Sequence, residues 1–315
     1  MSSLLLPKRI EAGSTIGIFA PSEPILGSRV ERLERSMEIL YNHGFHVKLA
    51  PHCMEHYFYM AGTIKDRVTD IHTLAYDQEV DVMFAAWGGK SCNQLLPYLD
   101  YELLATARKP ILGFSDVSVL LNAIAWRSHL ITFHGPNVAG KLFETEHSDL
   151  SLLFLEDKMA MNRNLLGDVN RVSPVVLRRG TGVGRLFGGN LSTFVLGLLG
   201  TEFMPRWEDS ILFFESGSQP PQIIDQYLTA LRNAGILKDL KGMIVGDFIR
   251  EDPVEWKRRD SLDVILAVVE DYEFPVLYCP TFGHRPLENP ILPIGAYCKL
   301  DASNAYLQLL EPVVE

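Results

Sequence analysis

Ser115 stands just past an apolar, strand-like run, Lys109 to Gly113, and an apolar, helix-like run from Val117 to Trp126 follows it at once. A strand that turns sharply into a helix on a serine pushes the hydroxyl out at the top of a sheet. It also leaves the first helical N–H groups unpaired beside it. Those N–H groups can hold an oxyanion, so the pattern points to a serine nucleophile and to acyl transfer. The usual elbow has glycine two residues after the serine, and Val117 occupies that place. The same residues also read as a plain helix start, with Ser115 or Asp116 as the N-cap.

A serine nucleophile needs a base, and the base needs a group to orient it. Nine histidines are available. His284 is on a glycine-flanked loop directly after a strand-like run, where loops carry function. His134 follows Ile131-Thr132-Phe133 and precedes Gly135-Pro136, which makes it the second candidate. His43 and His46 flank a turn and read as surface residues. Glu215 is the candidate orienter, because it ends the run Ile211 to Phe214 with Gly217 two residues on. A carboxylate at the end of a buried strand is costly unless paired. It reads equally as a salt-bridge partner or as a charge favouring the N-terminus of a helix from Pro221. The chain order Ser, Glu, His occurs in known triads, but order varies among folds and adds little.

Three other patterns are set aside. Gly88-Gly89-Lys90-Ser91 resembles the end of a phosphate loop, yet Phe84 stands where that motif needs its first glycine. Gly182-Val183-Gly184 with Gly188 resembles a dinucleotide loop, but the spacing is wrong and no clear strand precedes it. His52, Cys53 and His56 could ligate a metal, but Tyr57, Phe58 and Tyr59 crowd them and no second cluster appears.

The elements that position these residues follow from hydrophobic periodicity. Strands are expected at Thr15 to Ala20, Phe45 to Leu49, Val80 to Ala86 and Lys109 to Gly113. Helices are expected at Arg29 to Asn42, Thr63 to Tyr76 and Val117 to Trp126, with Asn93 to Leu104 helical or turn-like. Asp66 and Arg67 fall on the exposed face of their helix. Each strand is a continuous apolar run, and strands alternate with helices, which predicts a parallel sheet covered on both faces. Sites in such sheets lie beyond the carboxyl ends of the strands. Ala20-Pro21-Ser22, Gly88-Gly89 and Ser115 all fall at strand ends, so one rim is expected to hold them. The pattern loosens between Lys141 and Val183, with a helix possible at Leu150 to Met161. A new series then begins, with helices at Leu191 to Leu199, Pro221 to Ala234 and Leu262 to Val269. Its strands are Ile211 to Phe214, Gly242 to Gly246 and Pro275 to Tyr278, followed by closing strands near Ile294 to Leu300 and Ala305 to Leu310. The expected fold is α/β: an N-terminal parallel-sheet domain with the elbow (1–140), a crossover (141–183) and a smaller C-terminal α/β domain (184–315).

Bulk composition narrows the function classes. The chain has 315 residues, 47% hydrophobic and 22% charged, which is ordinary for a globular protein with a substantial core. A net charge of −10 argues against nucleic-acid binding, which needs a basic face. No run approaches the ~18 apolar residues of a membrane helix. Leu4-Leu5-Leu6 is too short for a signal-peptide core. Cys53, Cys92, Cys279 and Cys298 show no CxxC spacing, so a reduced, cytoplasmic protein is expected.

Taken together, the segments resemble the serine LD-carboxypeptidases, the bacterial muramoyl-tetrapeptide carboxypeptidases and their relatives the microcin C self-immunity proteins. The matching segments are Ala20-Pro21-Ser22, Trp87-Gly88-Gly89, Asn93 to Asp100, Gly113 to Asp116, Thr132 to Pro136, Gly188 to Leu191 and Phe214-Glu215. Asp225 with Leu228, Leu231, Arg232, Gly235 and Ile236, then Gly246-Asp247-Phe248, Phe282-Gly283-His284 and Leu292 to Gly295, complete the set. The resemblance implies a triad of Ser115 as nucleophile, His284 as general base and Glu215 as its orienter. It implies an oxyanion hole from the backbone N–H groups of Gly89 and Asp116, no metal or organic cofactor, and a homodimer. The implied reaction is release of a C-terminal D-amino acid from a muropeptide tetrapeptide. The alternative is cleavage of a peptidyl- or aminoacyl-nucleotide amide.

The two branches differ in ways the sequence can address. Asn93 to Asp100 looks more like the microcin-immunity branch. Enzymes of that branch carry a longer interdomain loop with Trp residues that can stack on a base, worth about 1–3 kcal/mol. The corresponding stretch here, Lys141 to Val183, has no Trp, although Phe143 or Phe154 could substitute.

Overall fold

The computed structural model describes residues 4–140, 163–217, 219–248, 261–285 and 289–315. Five parallel strands build a first sheet: β1 (Thr15–Phe19), β2 (His46–Leu49), β3 (Val82–Ala85), β4 (Ile111–Gly113) and β5 (Thr132–His134). Every residue of β3, β4 and β5 is buried, whereas the edge strand β2 alternates exposed and half-buried positions. A parallel sheet covered on both faces demands such continuous apolar runs in its centre.

Between these strands run α1 (Ser28–Asn42), α2 (Ile64–Tyr76), α3 (Tyr101–Ala107) and α4 (Val117–Arg127). Thr63 starts α2 through a capping box with Asp66. Helix α4 is buried without a break from Val117 to Ala125. It packs on β4 and β5 and also on the second sheet, so an apolar residue is favoured on every face.

The second sheet contains β6 (Val175–Arg178), β7 (Thr181–Asn190), β8 (Ser210–Ser216), β9 (Leu240–Phe248) and β10 (Val276–Tyr278). Strands β7 to β10 are parallel, and β6 lies antiparallel to β10. Strand β11 (Leu292–Ile294) leaves this region and pairs antiparallel with β5 of the first sheet. Then β12 (Tyr297–Asp301) and β13 (Tyr306–Leu309) return to the second sheet beside β7. The helices here are α5 (Leu191–Leu198), α6 (Pro221–Asn233) and α7 (Ser261–Val268). The result is a two-domain α/β fold in which the two sheets share a joint through β11 and α4.

Two sequence expectations change. Arg67 is not on an exposed face: it is 1% exposed, and its guanidinium donates to Pro21 O at 2.8 Å and Gln94 Oε1 at 2.8 Å. Gly182-Val183-Gly184, already set aside as a dinucleotide loop, lies inside strand β7. The closing strands are also subdivided, because Leu292–Ile294 joins the first sheet. The helix expected at Leu150 to Met161 falls outside the described residues.

Candidate active site

Ser115 has φ 63°, in the left-handed region that few residues other than glycine enter. That strained turn lets β4 end and α4 begin with the side chain facing outward. Asn137 braces it: its Oδ1 accepts from Phe114 N at 2.9 Å and its Nδ2 donates to Phe114 O at 3.3 Å. The buried amide thus pins the residue before the serine on both sides.

The second sheet brings the partner groups. Glu215, at the end of β8, is 0% exposed, and its Oε2 lies 2.7 Å from His284 Nδ1. Its other oxygen, Oε1, accepts from Asn190 Nδ2 at 2.9 Å. Asn190 sits directly across from Glu215 in the β7–β8 register, so strand pairing sets this contact. Asn190 is held in turn by α4, where Ser118 Oγ accepts from Asn190 N at 3.2 Å. Asn122, one turn along α4, exchanges hydrogen bonds with the Gly188 backbone at 2.7 and 3.1 Å. Gly189 must be glycine here, since a Cβ would fall 2.3 Å from Ser118 Oγ and its φ is 138°. The segment Gly188-Gly189-Asn190 therefore seats the carboxylate's partner against the helix that directly follows the serine.

His284 Nε2 lies 3.2 Å from Ser115 Oγ. With Nδ1 donating to the Glu215 carboxylate, Nε2 is the acceptor for the serine hydroxyl. The loop holding His284 is fixed on both sides. Gly283 N donates to Asn289 Oδ1 at 2.8 Å, and Arg285 grips Asp247 with two hydrogen bonds at 2.8 and 2.6 Å. Neither the Gly89 N–H nor the Asp116 N–H has an acceptor among the described residues. Both residues line the space at Ser115.

Two cavities open from this point, and both reach Gly89, Ser115 and His284. One, of about 490 Å³, is bordered by Lys90, Asn93, Thr193, Gln219 and Tyr227. The other, of about 360 Å³, is bordered by Arg29, Arg32, Trp87, Pro136 and Asn289. A linear substrate can lie across the serine with one end in each.

Residues 16–135 match the LD-carboxypeptidase N-terminal domain, and residues 183–300 match the LD-carboxypeptidase C-terminal domain. The chain is also 30% identical to the murein tetrapeptide carboxypeptidase of Pseudomonas aeruginosa, over 91% of this chain and 93% of that protein. The chain belongs to the LD-carboxypeptidase family. It is 28% identical to the microcin C7 self-immunity protein MccF of Escherichia coli, over 98% of this chain and 96% of the relative. A solved structure of MccF in complex with aspartyl sulfamoyl adenosine shares the fold with a TM-score of 0.84 and 26% identity, covering 99% of this chain and 100% of that one.

Within this family member, the histidines separate clearly. His134, the second candidate for the base, is 1% exposed, and neither ring nitrogen has a hydrogen-bond partner among the described residues. Its ring lies 5.1 Å from that of Phe114 and 5.2 Å from that of Phe213. Burial, followed by the nearby His284, pushes its pKa down to about 3. His43 and His46 are exposed.

The metal candidates also resolve. Cys53 is buried with Sγ against Ile18 O, and burial pushes its thiol up to about 12, while His56 is exposed. His52, Glu55 and Asp66 bring ligating atoms within 4.8 Å of one another. Asp66 is already used as the cap of α2, and His52 Nδ1 bonds Asp70 Oδ1 at 2.7 Å, so structural roles account for this group.

Sequence reasoning missed Asn190, Asn137, Asp247 and Arg67. Asn190 and Asp247 fall in the segments that carry the family resemblance, so a signal existed without a role. Asn137 and Arg67 left no local signal.

Proposed function

We propose that this chain is a serine-type LD-carboxypeptidase that hydrolyses the amide before a C-terminal D-amino acid, as in D-alanine release from a muropeptide tetrapeptide. The observation that carries this reading is the hydrogen-bonded line Ser115 Oγ to His284 Nε2 at 3.2 Å and His284 Nδ1 to Glu215 Oε2 at 2.7 Å, lying between two cavities. Ser115 attacks the carbonyl carbon while His284 takes its proton. The N–H groups of Gly89 and Asp116 receive the oxyanion. Collapse of the tetrahedral intermediate breaks the C–N bond, and His284 returns the proton to the leaving amine. Water, deprotonated by His284, then attacks the ester carbon, and the Ser115 oxygen leaves with the proton that His284 returns to it. Glu215 keeps the imidazole in the right tautomer and stabilises its charged form without exchanging a proton.

The family reading carries a homodimer and a cytoplasmic location with it. Among the described residues no helix is long and apolar enough to cross a membrane.

A second reading is cleavage of an aminoacyl-nucleotide amide. The likeness to MccF bound to aspartyl sulfamoyl adenosine favours it. The stretch Lys141 to Val183 holds no Trp to stack on a base, which weighs against it, although Phe143 or Phe154 could substitute. The decisive experiment measures kcat/KM on a muropeptide tetrapeptide and on an aspartyl sulfamoyl adenylate. The first reading expects the tetrapeptide to be preferred. A preference for the adenylate of about tenfold or more, some 1.4 kcal/mol, moves the chain to the immunity branch.

A further inference from the structure

Asp116 was singled out for its backbone N–H, yet its side chain makes the more demanding contacts. The carboxylate is buried, at 3% exposure. Its Oδ2 accepts from Ser22 Oγ at 2.7 Å, Ser91 N at 2.7 Å and Cys92 N at 3.0 Å. Ser22 follows β1, Ser91 and Cys92 follow β3, and Asp116 follows β4. These three strands are neighbours in the sheet, so one carboxylate oxygen ties three adjacent strand ends together.

Two of those ends bear the oxyanion donors. Asp116 carries one N–H itself. Gly89 carries the other, two residues before Ser91, and it rests on Ser22: a Cβ at Gly89 would fall 2.3 Å from Ser22 Oγ. Moving the carboxylate therefore shifts both donors relative to Ser115. Oxyanion donors work only when held at about 2.7–3.1 Å from the position that the developing charge will occupy.

A buried carboxylate under an oxyanion hole is itself a problem, because its charge opposes the charge that develops there. Arg67 supplies the balance. Its Nη1 donates to Ser91 Oγ at 3.0 Å, and Ser91 Oγ lies 3.0 Å from Ser22 Oγ, which donates to Asp116. We propose that the Asp116 carboxylate, balanced by Arg67 through Ser91 and Ser22, is a clamp that positions both oxyanion donors of the site. The proposal rests on Ser115 being the nucleophile. A purely structural Asp116 would cap the 3₁₀ turn at Cys92–Tyr98 and nothing more.

The test uses the full chain, a muropeptide tetrapeptide, and a peptide boronic acid that forms a tetrahedral adduct on the serine oxygen. In Asp116→Asn, kcat should fall by about ten- to a hundredfold with KM nearly unchanged, below the cost of deleting a donor outright. Boronate affinity should fall by the same factor as kcat. Arg67→Met should act in the same direction, and the double variant should lose less than the product of the two single losses, because the charges are coupled. If either variant fails to fold by circular dichroism, Ser22→Ala removes one bond of the clamp and should still lower kcat and boronate affinity together. A folded Asp116→Asn or Ser22→Ala with both quantities at wild-type level overturns the clamp. So does a fall in kcat that leaves boronate affinity intact. Ser115→Ala run alongside separates the two ideas: if it keeps turnover, the nucleophile reading fails. If it is dead while Asp116→Asn is fully active, only the clamp fails.

Discussion

The strand ends of the first sheet and those of the second meet at Ser115, but they hold their polar groups differently. In the first sheet Ser22, Ser91, Asp116 and Arg67 are all nearly inaccessible and bonded to one another. In the second, Glu215 and Asn190 are buried, but the imidazole they steer has a side chain 36% exposed. The first arrangement suits groups that must not move as charge develops. The second suits a base that must meet a leaving amine and then a water. The same contrast appears in two histidines either side of Phe114, with rings 5.1 Å (His134) and 4.9 Å (His284) from it. One has a buried carboxylate partner and an open face, and the other has neither.

The largest expected effect tests whether the first sheet supplies the nucleophile at all. Ser115→Ala should lower kcat on the tetrapeptide by a factor on the order of 10⁶, as loss of a triad nucleophile does elsewhere. It should also abolish labelling by a fluorophosphonate probe. Turnover above about a tenth of wild type would refute the assignment.

The next effect weighs the second sheet. Glu215→Gln should cost about 10³- to 10⁴-fold in kcat, since the amide supports the wrong tautomer. Asn190→Ala should cost far less, about tenfold, because it acts through Glu215. Equal losses in the two variants would mean that Asn190 does more than hold the carboxylate.

The smallest effect on activity separates the two histidines. His134→Phe should leave kcat within about threefold, whereas His284→Ala should approach the loss seen with Ser115→Ala. Stability should respond instead. A histidine titrates at about 6.5 when unfolded, and His134 does so at about 3 when folded. Between those values the unfolded chain binds a proton that the folded chain does not, so stability is lost as pH falls through that window. Thermal melts at pH 7 and pH 4 should show the phenylalanine variant losing less on acidification, by an amount on the order of a few kcal/mol. Parallel losses in the two proteins would exclude His134 as the cause.

Local pattern determined a good deal of this protein. The apolar runs and their periods located the main strands and helices, because burial on both faces of a parallel sheet leaves a continuous signature. The turn at Ser115 was readable because strand, serine and helix are contiguous. Other features had no local expression. Arg67 was placed on a solvent face because charge normally is, and only the packing of α2 over Ser91 and Gln94 encloses it. The pairing of Asn190 with Glu215 is a matter of strand register. Leu292–Ile294 could have closed either sheet, and it crossed to β5. Ser115 and His284 are 169 residues apart, and residue types can nominate such a pair but not join it. What joins them is the buried helix α4, wedged between the sheets, because side chains from distant segments share a site only when a common core fixes both backbones.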